Sequence, residues 1–237
     1  AQVSSIRTLF NIQFSEPYFL DSPFSLGFEV YNFDYQFTDF SRTSRGGNLT
    51  LGYPITDDLR TNVTLKLENV ELRPGGRTGR NSQQVGNLFR DGLTSSLRFG
   101  LSYDNRNNRL FPTGGSFTTA RMEVADDNLT LSQVEFLKYD VETRWYFPLF
   151  WQFVLRLNGD IGYVQSLDAR KPVPLFERYF AGGPTTIRGF DRFSLGPSRL
   201  VARDPNDPGA AGSDYLIGGN KRLILKAEIE FPILTAV

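Results

Sequence analysis

Apolar and polar residues alternate one by one along most of this chain, and a period of two indicates strands rather than helices. In the segment 59–68, Val63, Leu65 and Leu67 share one face, while Lys66 and Glu68 lie on the other. Nine segments follow this pattern. They are 5–14, 24–31, 48–53, 59–68, 93–103, 119–124, 137–147, 152–163 and 222–231. The sequence therefore predicts an all-β fold of nine antiparallel strands.

The length of the segments favours a membrane setting. Many approach the roughly 9–11 residues with which a tilted strand crosses a bilayer, whereas strands of soluble proteins usually have about 5–6. Aromatic residues recur at segment ends, where a membrane barrel has its interfacial girdle. They include Tyr53, Tyr103, Trp145, Trp151 and Tyr163. A transmembrane antiparallel β-barrel is thus favoured, and a soluble β domain, whose strands also alternate, stays open.

Composition excludes several kinds of chemistry. The 26 basic and 26 acidic residues cancel, so no basic footprint for nucleic acid is present. The chain has no Cys and no His, which excludes disulfides, thiolate chemistry and His-based triads. Five acidic residues alternate with basic ones on the polar faces, and a wetted lumen of paired charges explains them better than a catalytic carboxylate pair. They are Glu29, Glu68, Asp140, Glu142 and Asp160. We expect no catalytic residue, no metal and no cofactor, and hence no enzyme.

The connections between segments differ in length at the two ends of the predicted sheet. Residues 16–23, 54–58, 104–115 and 148–150 form short turns at one end. Residues 32–46, 69–92 and 165–220 form longer loops at the other, with 125–130 as a short exception. Outer-membrane barrels have short periplasmic turns and long extracellular loops, and bacterial ones have an even strand number. The odd number of nine therefore indicates either an incomplete barrel or one strand that the pattern does not reveal.

The segment FAGGPTTIRGF, residues 180–190, resembles the signature of the sixth extracellular loop in the BamA family of outer-membrane proteins. Its core is Arg188, Gly189 and Phe190, preceded by Gly182 and Gly183. Other stretches resemble early turns of that barrel and the strand after the loop. They are 14–27, 51–59, 102–116 and 227–233. The resemblance covers essentially the whole chain, and the superfamily also contains TamA, two-partner-secretion transporters and organellar import barrels.

The resemblance implies that residues 1–237 are one partial outer-membrane barrel domain, with strands four to twelve of a probable sixteen, and that the periplasmic POTRA repeats lie outside it. It implies a factor that assembles and inserts proteins in the bacterial outer membrane. The implied partners are unfolded outer-membrane proteins, the lipid bilayer and accessory lipoproteins bound through the periplasmic domains. A TamA-like or two-partner-secretion polypeptide transporter is the alternative. An unrelated porin or a soluble β-binding protein is a further one.

The resemblance also implies a role for the loop arginine. The loop at 165–220 would fold into the lumen, where Arg188 needs an acidic partner because an unpaired buried charge is costly. Glu228 and Glu230 face inward on the last predicted strand and are the candidate partners. The three signature glycines would permit tight turns, and Phe190 would pack against apolar residues of the loop. The expected role is to brace the barrel rather than to perform chemistry.

Overall fold

The computed structural model describes residues 2–3, 7–36, 40–74, 88, 91–201 and 213–232. Within these residues the chain forms twelve strands. They are β1 Gln2–Val3, β2 Arg7–Glu16, β3 Ser25–Gln36, β4 Phe40–Pro54, β5 Leu59–Pro74, β6 Gly92–Asp104, β7 Gly115–Ala125, β8 Phe136–Pro148, β9 Val154–Ser166, β10 Ser198–Val201, β11 Ser213–Leu216 and β12 Lys221–Glu230. A one-turn helix, Asp127–Thr130, and two 3-10 turns, Phe19–Asp21 and Leu175–Glu177, complete the described structure. No helix in these ranges is long and apolar enough to cross a membrane.

Ten of the strands form one antiparallel sheet in the order β1-β2-β3-β4-β5-β6-β7-β8-β9-β12, and β10 and β11 form a separate hairpin. All nine predicted strands are present, as β2 to β9 and β12. Strands that neighbour each other in the sequence are neighbours in the sheet up to β9, so the sheet is an up-and-down meander. The predicted all-β antiparallel class is confirmed. In the described part of the chain, the outer strands β1 and β12 are not paired with each other.

The predicted long loop 32–46 is wrong and the one at 69–92 starts too early, because the strands continue into them. Residues 37–39, 75–87 and 89–90 of these loops lie outside the described part of the chain. β3 runs to Gln36 with Asn32 paired to Arg45 of β4, and β5 runs to Pro74. The cause is a change of face. On β5 the apolar residues lie outward up to Leu67, and from Val70 they lie inward. The apolar positions therefore shift by one residue and interrupt the alternation in the sequence, although the backbone stays extended.

The outward face of the sheet is apolar and exposed, whereas the inward face is polar and partly buried. Leu65 on β5 is 50% exposed and lies between Leu49 on β4 and Leu97 on β6. Its neighbours Thr64 and Lys66 point to the other face, where Thr64 is only 6% exposed. A continuous apolar surface of this kind is rare on soluble proteins. An apolar outside and a polar inside are typical of a membrane barrel.

One apolar cluster lies on the inward face near the loop end of the sheet. It joins strand residues to residues of the connection between β9 and β12. Its members are Val70, Leu72, Leu88, Ala125, Val134, Phe136, Val164, Val173, Leu175, Phe176 and Tyr179. The apolar residues change to the inward face at the ends of the strands because these positions pack against the loop.

Candidate functional site

The connection between β9 and β12 is described for residues 167–201 and 213–220, and residues 202–212 of the predicted loop lie outside the described part of the chain. The described residues fold back on the inward face and are held together by backbone hydrogen bonds within the loop. Tyr179 N donates to Gly219 O at 2.8 Å, and the Gly219 amide returns the bond at the same distance. Two residues further along the chain, Ala181 N donates to Leu195 O at 2.8 Å. Two parts of this loop contact the wall. We call residues 175–179 the anchor arm and residues 182–194 the signature turn.

The glycines of the signature turn adopt backbone conformations that other residues avoid. Gly182, Gly183 and Gly189 have φ values of 102°, 98° and 87°. A Cβ at Gly182 would also overlap the carbonyl oxygen of Asp191, whereas a Cβ at Gly189 would meet open space. Gly182 is thus required by both space and backbone, and Gly189 by its backbone alone. The turn is closed by the Gly183 amide, which donates to Phe190 O at 3.0 Å.

Arg188 at the tip of this turn contacts β12. Its Nη2 atom forms an ion pair with Glu228 Oε1, and the neighbouring Lys226 Nζ donates to Thr185 O at 2.7 Å. Glu230, the other predicted candidate, pairs instead with Arg156 of β9 at 2.7 Å. The structure therefore brings Arg188 to Glu228 and not to Glu230. That this pair braces the barrel stays a prediction.

Phe190 contributes its backbone to the signature turn, because its carbonyl oxygen accepts from the Gly183 amide at 3.0 Å. The ring is 53% exposed in the described part of the chain. Its packing against apolar residues of the loop stays a prediction.

The anchor arm carries a buried acid that sequence reasoning did not single out. Glu177 is 4% exposed, and Lys138 Nζ of β8 lies 2.9 Å from its Oε2 and 3.3 Å from its backbone oxygen. Arg42 of β4 donates to Phe176 O at 3.3 Å and lies 5.3 Å from the centre of the Phe176 ring. The signal was available in the string PLFERYF, where one carboxylate interrupts an apolar stretch.

The charges around Glu177 decide its ionisation. Burial acts to raise the pKa of Glu177, but the positive charges of Lys138, Lys66 and Arg42 outweigh it and lower the pKa from 4.5 to about 2. The carboxylate is therefore ionised whenever the loop is docked near neutral pH. The pKa of Glu177 is lower in the folded protein than in the unfolded chain. The ionised carboxylate therefore stabilises the fold fully above about pH 4.5, and this stabilisation is lost as the pH falls toward about 2.

Tyr179 ends the anchor arm in a slot of the wall. Its hydroxyl donates to Asp140 Oδ1 of β8 at 2.9 Å, and the guanidinium of Arg222 lies 4.6 Å from the centre of its ring. Burial, and then the charge of Asp140, raise the pKa of the Tyr179 hydroxyl, so it stays protonated and able to donate. The slot exists because β9 has Gly162 here: a Cβ would lie 2.5 Å from Tyr179 Cζ.

The rest of the inward face pairs its charges between side chains. Lys66 lies 2.5 Å from Glu68, Arg98 lies 2.7 Å from Glu123, and Arg222 lies 2.7 Å from Asp160. Arg42 adds a second cation to Glu68 at 3.1 Å. The wall next to the anchor arm thus carries more positive than negative charge, because Lys66 and Arg42 share Glu68, and the loop supplies Glu177 as the carboxylate that pairs with Lys138.

The comparisons with known proteins point in one direction. A profile described as the Omp85 superfamily domain matches residues 1–236. The chain is 26% identical over 250 residues to the outer membrane protein assembly factor BamA of Neisseria meningitidis serogroup B, covering 98% of this chain and 30% of that protein. It is 29% identical over 193 residues to the sorting and assembly machinery component 50 homolog A of Xenopus laevis, covering 81% of this chain and 40% of that one.

A solved structure agrees with the sequence relatives. The crystal structure of BamA from Haemophilus ducreyi lacking POTRA domains 1–3 matches with a TM-score of 0.81 and 25% identity, covering 98% of this chain and 47% of that one. The chain therefore spans between about a third and a half of the length of these three relatives.

Proposed function

Because this chain belongs to the Omp85 superfamily, we propose that it is a barrel-wall segment of a factor that assembles and inserts β-barrel proteins in the bacterial outer membrane. The single observation that supports this best is the docked signature loop, whose Arg188 lies on Glu228 of the inward face. BamA and the sorting and assembly component, which match this chain, are named as assembly factors. The apolar outward face of the sheet is also the kind of surface that an outer-membrane barrel presents to lipid.

The proposed mechanism contains no covalent step and uses no cofactor. Lipid cannot satisfy the backbone groups of a strand that enters the membrane, but the open edge of another strand can. In the complete barrel, such an edge would pair with an incoming chain by strand addition. The part described here would supply the stiff wall and the loop that hold this edge in place. Its substrates would be unfolded outer-membrane proteins, and accessory lipoproteins would bind through periplasmic domains.

Reconstitution of the full-length protein tests this function. We expect liposomes that contain it to insert an unfolded outer-membrane barrel protein faster than empty liposomes do, measured as the heat-resistant folded band on a gel. The matched control is a secreted polypeptide that has no barrel of its own. If the secreted polypeptide accumulates inside the liposomes while barrel insertion is no faster than in empty ones, the protein is a transporter and the proposal fails.

A further inference from the structure

The loop contacts strands that are far apart in the sheet. Arg42, which holds the Phe176 carbonyl, lies on β4, and Lys138, which holds Glu177, lies on β8. Glu228, which holds Arg188, lies on β12 at the edge of the sheet. In sheet order, β5, β6 and β7 separate the first two strands, and β9 separates β8 from β12. The loop therefore reaches across the inward face of the sheet from β4 to β12.

We propose that the anchor arm is a second attachment of the loop, independent of Arg188, with Glu177 as its positioning residue. The two attachments make the loop a cross-brace that holds β4 and β8 at a set distance from β12. This inference deepens the proposed function and rests on it for its biological meaning. The attachment itself is a property of the folded protein and can be measured without any substrate.

The two attachments lie at different places on the sheet. The Arg188 pair is at β12, the outer strand of the described sheet, whereas the Glu177 pair is enclosed between the loop and β8. Glu177 and Lys138 have side chains only 6% and 18% exposed. Hydrogen bonds to charged groups are stronger than those between neutral groups. Removal of one partner of a buried pair leaves the other buried and uncompensated. Glu177 is thus a buried attachment in its own right, although the signature motif contains only Arg188.

The geometry around Glu177 also explains why a neutral side chain would not serve. A glutamine has the same shape, but it carries no charge to compensate Lys138, Lys66 and Arg42, which all act on the carboxylate. Lys66 and Arg42 share the one carboxylate of Glu68, and Lys138 has Glu177, so two positive charges are left uncompensated when Glu177 is neutral. We expect Glu177→Gln to loosen the arm while the strands remain formed.

The test is the reactivity of a buried loop position in the full-length protein, with any cysteines elsewhere replaced. Val173 is 2% exposed, so a cysteine placed there reacts with a maleimide only when the arm leaves the wall. We expect Glu177→Gln and Lys138→Met each to raise this labelling rate roughly tenfold to a hundredfold. The double variant should be no faster than the faster single one, because both remove the same pair. An unchanged folded band on a gel shows that the barrel has formed.

Two control variants give the experiment its contrast. Asp168, in the same loop, pairs with Lys171 on the surface at 3.1 Å, and Asp168→Asn should change the rate by less than about twofold. Arg188→Ala should also leave the rate at Val173 within about twofold, because distant sites act independently. If Glu177→Gln labels no faster than Asp168→Asn, the second attachment is refuted. If Arg188→Ala alone releases Val173, the independence is refuted.

Assembly of substrate, measured on the same variants, separates this inference from the proposed function. Faster labelling together with slower assembly supports both. Faster labelling with unchanged assembly supports the inference that Glu177 attaches the loop, but it refutes a role of this attachment in the proposed function. Unchanged labelling refutes the attachment, whatever the assembly rate.

Discussion

Replacing Leu65 by arginine is expected to lower the free energy of unfolding of the lipid-embedded protein by about 2–4 kcal/mol, the cost of a cation on the lipid face near the bilayer centre. Leu65 is in the middle of β5, half exposed, and lies between Leu49 and Leu97 on the flanking strands. An arginine there could reach neither an acidic partner nor water without distorting the bilayer. Denaturant unfolding in lipid vesicles, followed by strand content, measures the effect.

Two control variants separate the effect of the charge from the effects of side-chain size and of position in the sheet. Leu65→Phe keeps the site apolar and should cost little. Asn11→Arg adds the same charge on the inward face, where Asn11 already donates to Glu29 Oε1 at 2.5 Å, and a guanidinium would find a carboxylate. Equal losses for Leu65→Arg and Asn11→Arg would show that the two faces do not differ in environment, which is incompatible with a membrane barrel.

Replacing Gly162 by alanine is expected to destabilise the protein by about 1–3 kcal/mol, the usual cost of overpacking, and to expel the anchor arm from its slot. The new methyl group would lie 2.5 Å from Tyr179 Cζ and 2.7 Å from Cε1. The ring cannot retreat freely, because its hydroxyl is held by Asp140 and its backbone by Gly219. The same unfolding experiment, together with labelling of a cysteine at Val173, measures both effects.

Gly159 on the same strand provides the matched control. A Cβ there would lie 3.3 Å from Thr143 Cγ2 and 3.7 Å from Leu225 Cδ2, both ends of side chains that can move. Gly159→Ala should therefore cost much less. In addition, Tyr179→Leu should remove most of the penalty of Gly162→Ala, since leucine lacks the clashing ring atoms. Equal effects of the two alanine substitutions would mean that Tyr179 does not occupy this slot.

The sequence predicted the strands because their signal is local. Alternation within β5 or β9 depends only on which face meets lipid, so each segment could be recognised without knowledge of its neighbours. The predicted strand at 59–68 ended too early, because beyond Glu68 the inward side chains of β5 pack against the loop. There the apolar positions change face, as Val70 and Leu72 show, and a single-period pattern cannot follow the change.

The loop contacts were harder to predict, because they join residues distant in the sequence. The family resemblance and an inward position gave Arg188 two candidate partners, Glu228 and Glu230, and only the structure chooses Glu228. Nothing in local sequence connects Glu177 to Lys138, 39 positions apart. The pairing follows only once the loop lies on the wall.

The most direct test of the barrel assignment is to measure which face of β9 meets lipid. Ile161 is an exposed outward residue and Asn158 an inward one on the same strand. Because residues 1–237 contain no cysteine, a single one can be introduced at either position of the full-length protein, once any others are replaced, and labelled with a fluorophore in vesicles containing nitroxide lipids. A wall that separates lipid from a loop-filled lumen predicts strong quenching at 161 and little at 158. Equal quenching at both positions would contradict it.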